Sequence, residues 1–216
     1  MSLFITFEGV EGCGKTTQLA LLSEALRQQG YGVLTTREPG GCTIADAVRR
    51  ILLDPAHHAM VPRAELLLYA AARAQHVTEV IKPALAEGRV VLCDRYTDAT
   101  VAYQGYGRGL DRELVEHLND LACDGCRPDL TLLLDMPAEA GLKRAIRRNS
   151  SQKMDEEGRF EQEALIFHDK VRQGYLALAQ RHPDRIRIIA AQGSVAEVAQ
   201  RILLAINTFI ESQGRP

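Results

Sequence analysis

Five short runs of apolar, β-prone residues punctuate the chain, and a longer stretch with apolar residues every three or four positions follows each. The runs are Leu3-Phe4-Ile5-Thr6-Phe7, Val33-Leu34-Thr35-Thr36, Val90-Val91-Leu92-Cys93-Asp94, Leu130-Thr131-Leu132-Leu133-Leu134 and Ile186-Arg187-Ile188-Ile189-Ala190. Near-continuous apolarity over such short runs predicts strands covered on both faces. The intervening stretches carry the helical period. Leu19, Leu22 and Leu26 mark the first helix, and Ile44, Val48, Ile51 and Leu52 a second over Thr43–Leu53, capped by Thr43 with Asp46 and ended by Asp54-Pro55. Pro62 opens a mostly helical stretch to Glu87 that Pro83 kinks or restarts. Leu114, Val115, Leu118 and Leu121 place a helix over Asp111–Ala122, and Leu142, Ala145 and Ile146 another that begins at Pro137. A long helix is expected over Phe160–Gln180, with Leu165, Phe167 or His168, Val171, Tyr175 and Leu178 inward, and a closing one over Val195–Ile210. Strands interleaved with helices predict a three-layer α/β sandwich around a five-stranded parallel sheet, in a single domain over 1–216.

Composition narrows the class. With 216 residues and 46% hydrophobic content the chain can bury a real core. A net charge of −2 gives no global attraction to a nucleic-acid polymer or an anionic membrane, and no apolar run is long enough to span a bilayer. The five cysteines are odd in number and scattered, and Met1-Ser2 leads straight into a strand, so a reduced, cytoplasmic compartment is expected. Cys123-Asp-Gly-Cys126 has no second ligand pair for a tetrahedral zinc site, and His57-His58 reads as surface.

Chemistry enters between the first strand and the first helix. Gly9-Val10-Glu11-Gly12-Cys13-Gly14-Lys15-Thr16 fits the P-loop pattern, in the strand-to-helix context that gives the pattern meaning. Such glycines let backbone N–H groups, together with the helix N-terminus that Thr17 extends, surround phosphate oxygens. Lys15 is placed for the β- and γ-phosphates and Thr16 for Mg²⁺. Val90–Asp94 is the complementary half: an apolar strand ending in a carboxylate that holds the metal directly or through water. The predicted fold is therefore that of a P-loop NTPase.

A second anion site is expected opposite the first. Arg37, in the loop Arg37-Glu38-Pro39-Gly40-Gly41, and Arg95 both stand at strand C-terminal ends, where open α/β sheets bind ligands. Tyr69 and Arg73 lie four residues apart on one helical face and suit a flat base, though a core tyrosine and a salt-bridged surface arginine fit the spacing equally well. Tyr103-Gln104 reads as a pocket wall, since a Gln amide reads a base edge by donor and acceptor together. From Lys143 to Arg159 the chain turns basic, with Lys143, Arg144, Arg147, Arg148, Lys153 and Arg159 around Asn149-Ser150-Ser151-Gln152. This predicts a mobile basic lid over about 143–159 that closes on phosphates, beyond what cations at a helix C-terminus explain.

The arginine set also bears on the acceptor. An alcohol requires a base, whereas a phosphomonoester is largely dianionic at neutral pH and requires charge neutralisation. No Asn-Lys-x-Asp stretch for guanine is present. A nucleoside monophosphate kinase is favoured; a deoxynucleoside kinase and a non-catalytic nucleotide-binding switch are the alternatives.

The sequence resembles bacterial thymidylate kinases over almost its whole length. The resemblance rests on Phe-Glu-Gly-x-Glu-Gly-x-Gly-Lys-Thr-Thr at 7–17, Thr-Arg-Glu-Pro-Gly-Gly at 36–41, Ala-Ala-Arg-x-Gln at 71–75 and Asp-Arg-Tyr at 94–96 with Ala-Tyr-Gln at 102–104. Arg-Pro-Asp-Leu at 127–130 and Phe-Glu-Gln-Glu at 160–163 extend it. It implies that ATP-Mg²⁺ phosphorylates dTMP to dTDP, with Glu11 beside the transferring phosphates and Arg37 and Arg95 on the acceptor phosphate. It also implies Tyr69 stacked on thymine, Arg73 on the base with Thr100 and Gln104 nearby, Tyr103 crowding the sugar 2′ position, and a homodimer. The P-loop holds no arginine, so the resemblance assigns the catalytic cation to the lid, with Arg147, Arg148 and Lys153 as candidates. Cys42 stands where the family usually has Thr, and Gly158-Arg159 where it has Asp-Arg.

Overall fold

A computed structural model describes residues 2–152, 159–161 and 163–212. Five parallel strands form one sheet in the order β2-β3-β1-β4-β5: β1 Leu3–Glu8, β2 Val33–Arg37, β3 Val90–Asp94, β4 Leu130–Asp135 and β5 Ile186–Ala190. All five predicted strands are present. Side chains alternate across each strand, which splits the core into two layers. Ile5, Phe7, Leu92 and Leu132 pack in the larger one, while Phe4, Val91, Cys93 and Tyr96 pack with Val77 and Ile81 in the other. Cys123 and Cys126 belong to that second cluster.

Register positions the site. Phe7 pairs with Asp94, and Asp94 with Arg37, so the P-loop, the strand-end carboxylate and the Arg37 loop leave the sheet at one edge. The strand order reverses direction around β1, the crevice where such sheets bind ligands.

The helices are α1 Lys15–Gln28, α2 Thr43–Leu53, α3 Pro62–His76, α4 Lys82–Ala86, α5 Thr97–Thr100, α6 Arg112–Cys123, α7 Ala138–Gln152, α8 Leu165–Arg181 and α9 Val195–Ser212. A π-helical turn, Val77–Ile81, joins α3 to α4, so Pro83 falls in the first turn of a restarted helix, where a missing N–H costs nothing. A second π-helical stretch, Val101–Gly107, continues α5 and carries Tyr103 and Gln104; wide turns of this kind recur at functional sites.

Three expectations need correction. Cys42, not Thr43, is the N-cap of α2, and no side chain caps it; the Asp46 carboxylate instead accepts from the Gly41 N–H at 3.2 Å. The helix expected from Phe160 starts at Leu165, because Phe160 is drawn into the core against Tyr103, with ring centroids 5.4 Å apart. Arg159 is not a lid cation. It is buried, its Nε donating to the Leu52 carbonyl at 2.5 Å and its guanidinium 2.7 Å from Glu65. Of the basic stretch, 143–152 continue helix α7; Lys153 and the side chain of Arg148 lie outside the described residues.

Candidate active site

The P-loop turns from β1 into α1 with Gly14 at the N-cap in the left-handed region, and no side chain caps the helix. Its first-turn N–H groups thus stay open to an anion. Gly12 lies so close to α7 that a Cβ there would sit 2.1 Å from the Gly141 carbonyl oxygen. A Cβ on Gly141 would meet the Glu11 carbonyl oxygen at 2.3 Å. Two facing glycines therefore let the loop rest on α7.

Lys15 is buried, and its Nζ donates to the carbonyls of Gly9 and Val10 at 3.1 and 3.0 Å. The Thr16 hydroxyl donates to Asp94 Oδ2 at 2.9 Å, which brings together the two predicted metal ligands from positions 78 residues apart.

Beside them, Arg95 adopts φ 71°, a conformation rare outside glycine. Its backbone N–H donates to the Phe7 carbonyl, and its side chain turns back over the P-loop. Nη1 donates to Gly9 O and to the Tyr175 hydroxyl at 3.1 Å each, and Nη2 to Glu11 Oε1 at 3.0 Å. The guanidinium lies 4.8 Å from the Tyr103 ring centroid. Tyr103 also donates its hydroxyl to Glu11 Oε1 at 2.5 Å, and His168 Nδ1 lies 3.3 Å from Glu11 Oε2. Burial pushes the Glu11 pKa up, but Arg95, His168, Lys15 and Tyr103 outweigh it and hold the carboxyl well below its ordinary value. Tyr175 passes the network on, donating to the buried Glu8 at 2.8 Å.

Arg73 forms the far wall and is 1% exposed. Nε donates to Glu38 Oε2 at 2.8 Å, Nη1 to Asn119 at 2.6 Å and Nη2 to Thr100 at 3.0 Å. Glu38 is also bound by His76 Nδ1 at 3.0 Å, while His76 Nε2 meets the Thr36 hydroxyl at 2.7 Å. Gln104 Nε2 donates to Glu65 at 2.8 Å. Of these groups, Arg73, Glu38, Thr36, Thr100 and Gln104 line a cavity of about 580 Å³ that also takes in Lys15, Thr16, Arg37, Tyr69, Asp94, Arg95, Tyr103 and Phe160. Among the described residues, protein groups use three of Arg73's five donors, which leaves two that can serve a ligand.

The family model for thymidylate kinase matches residues 7–202. A thymidylate kinase from Syntrophotalea carbinolica is 59% identical over 214 residues, covering 99% of each chain. One from Geotalea uraniireducens is 60% identical over 206 residues, 95% of this chain and 97% of its own. The crystal structure of thymidylate kinase from Ehrlichia chaffeensis superposes with a TM-score of 0.76 at 34% identity, covering 95% of this chain and 98% of the other.

The chain belongs to the thymidylate kinase family. Within that frame twelve of the predicted side chains separate into three groups. Glu11, Lys15, Thr16, Tyr69, Arg73, Asp94, Arg95, Thr100, Tyr103 and Gln104 share the one cavity. Arg37 lines it too but is half exposed, 3.7 Å from Asp46. Arg147 is exposed on α7, outside the cavity's described lining. The core-tyrosine, surface-arginine alternative fails for Arg73, which is buried with its charge compensated by Glu38. Of the residues left without a role, Glu38 stood inside the Arg-Glu-Pro-Gly-Gly motif. Asn119, Glu65, Arg108 and His168 carry no local signal, because their partners lie tens of residues away in the chain.

Proposed function

We propose that the protein transfers the γ-phosphoryl group of ATP to dTMP, giving dTDP and ADP. The observation that carries this reading is the single cavity joining the P-loop, through Glu11 and Arg95, to a buried wall of Arg73, Thr100 and Gln104. Donor phosphates belong at the open N-terminus of α1, with Lys15 leaving its carbonyl partners for phosphate oxygens. Arg95 and Arg37 receive the acceptor phosphate, which needs neutralisation rather than deprotonation. Ionised Glu11 holds Arg95 and Tyr103 in place, and Tyr103 limits room at the sugar. Tyr69 stacks on the base, and Arg73 gives its spare donors to the O4 oxygen.

The residues at the P-loop mouth suit Mg²⁺. A hydroxyl and a carboxylate 2.9 Å apart are hard oxygen donors, and Mg²⁺ takes one or two from protein while keeping water and phosphate. When bound, it supplies charge neutralisation to the β- and γ-oxygens. The catalytic cation missing from the P-loop comes from Arg147 or Arg148 of the basic stretch. We also read the protein as a homodimer acting in the cytoplasm; none of the described helices is long and apolar enough to cross a membrane.

Incubation with ATP, Mg²⁺ and each nucleoside monophosphate tests the reaction. dTMP is expected to turn over fastest. Faster turnover of dCMP or AMP would defeat the substrate assignment, and phosphorylation of thymidine but not dTMP would move the protein to the nucleoside kinases.

A further inference from the structure

Glu65 of α3 is a fully buried carboxylate one residue removed from the predicted base. Its Oε1 accepts from Gln104 Nε2 at 2.8 Å. Arg108 donates to both its oxygens, Nε to Oε1 at 3.2 Å and Nη2 to Oε2 at 3.1 Å. Arg159 Nη2 lies 2.7 Å from Oε2. The two arginines are themselves fixed, Arg108 to Glu163 at 2.5 Å and Arg159 to the Leu52 carbonyl at 2.5 Å. Burial raises the Glu65 pKa, but the bonds from Arg108 and Gln104 and the charges of Arg108 and Arg159 outweigh it, leaving it below its ordinary value.

An ionised carboxylate only accepts hydrogen bonds. Gln104 therefore turns its NH₂ toward Glu65, which leaves its carbonyl Oε1 for the cavity that it lines. The flipped amide would set two acceptor oxygens against each other in a buried site, an arrangement with no compensating partner.

We propose that Glu65 is a specificity-determining positioning residue: by holding the Gln104 amide in one orientation, it presents an acceptor to the base and selects a pyrimidine with N3–H. The proposal rests on the reading of the acceptor as dTMP. Thymine carries an N3–H donor beside an O4 acceptor; cytosine carries an N3 lone pair beside an amino donor. Arg73 offers only donors, and Gln104, so held, only an acceptor. That pair matches thymine at both positions and opposes cytosine at both. Arg73 cannot change its half of the code. A Gln amide can, by rotating half a turn, so its half depends on Glu65.

The test compares kcat/KM for dTMP and dCMP in four proteins: unmodified, Glu65→Gln, Gln104→Ala, and the two combined. A Gln at 65 offers donor or acceptor and releases the lock, so the dTMP:dCMP ratio should fall by about 10-fold, the scale of one mispaired buried polar group. In the Gln104→Ala background the ratio is already low, and adding Glu65→Gln should change it by less than about twofold. An unchanged ratio in Glu65→Gln, or an equal fall with and without Gln104, overturns the proposal; a merely structural role predicts the latter. Glu65→Asp serves where Glu65→Gln does not fold. It keeps the charge beside Arg108 but withdraws the oxygens by about 1.5 Å, so the same fall is expected and an unmodified ratio again overturns the idea. Absence of dTMP turnover in the unmodified protein is seen before any variant is compared. It would remove the transferase reading, and the proposal with it.

Discussion

Glu38→Ala removes the only carboxylate in direct contact with the Arg73 guanidinium among the described residues, and Arg73 is 1% exposed. The variant leaves a buried cation whose remaining described contacts are neutral: Asn119, Thr100 and the Tyr96 ring, 5.1 Å to its centroid. It also strips His76 Nδ1 of its acceptor. Breaking a buried pair from one side costs about 3–5 kcal/mol. The neutral partners place Glu38→Ala toward the lower figure, about 3 kcal/mol, equivalent to a fall in Tm of roughly 6–12 °C for a chain of this size. Glu38→Gln keeps one acceptor oxygen for either Arg73 or His76 and should lose about half as much, since a hydrogen bond to a charged group contributes about 1.5–3 kcal/mol. Urea unfolding at constant m reads the stability change. Because the cost comes from an orphaned charge, Arg73→Met added to Glu38→Ala should recover at least about 1 kcal/mol, although both partners are then gone. Recovery of nothing, or a Glu38→Ala loss under about 1 kcal/mol, would refute the reasoning. Steady-state kinetics on Glu38→Gln should show a higher KM for dTMP with kcat little changed, as Arg73 loses its alignment on the base.

Gly141→Ala should gain about 1 kcal/mol of helix propensity on an exposed helix, yet here it meets the Glu11 carbonyl at 2.3 Å. A net loss of about 1–3 kcal/mol with a raised KM for ATP is expected by thermal unfolding and kinetics; a gain in Tm would show that the P-loop yields freely. His168 has its folded-state pKa raised above 6.5: burial lowers it, but the Glu11 carboxylate, 3.3 Å from Nδ1, outweighs burial. Its contribution is full below pH 6.5 and fades as pH rises through the folded pKa. His168→Gln should flatten that slope in unfolding measured from pH 5.5 to 8.5, and an unaltered slope would remove His168 from the pairing. Arg147→Ala and Arg148→Ala should lower kcat more than they change dTMP affinity, one of them by about 10³-fold. Wild-type kcat in both would show that the basic stretch supplies no catalytic cation.

The layout of the fold was legible because each level of the sequence agreed with the next. Val90–Cys93 is apolar throughout and Leu130–Leu134 is so but for the buried Thr131, because both of their faces are covered, and runs this short, bounded by turns, read as strands rather than helices. The P-loop was legible for a different reason: its function is performed by backbone groups, and only glycines at fixed local spacing allow that geometry. Errors came at element ends. Phe160 has the apolar character of a helical residue and none of the helix, since the Tyr103 ring draws it inward. Arg159 looked like one more cation in a basic run until Glu65, 94 positions earlier by number, took it into the core.

What the sequence determined by itself is everything carried by local order: strand, turn and helix, the phosphate loop, the carboxylate at the end of β3, and the family to which these motifs point. What only the tertiary structure decided is which charged side chains are buried and with whom. Arg73 with Glu38, Arg95 with Glu11, and Glu65 with Gln104, Arg108 and Arg159 join residues 35 to 94 positions apart. The physical reason is that a charge's role depends on desolvation and on the partner that compensates it, and both are properties of packed neighbours rather than of sequence neighbours.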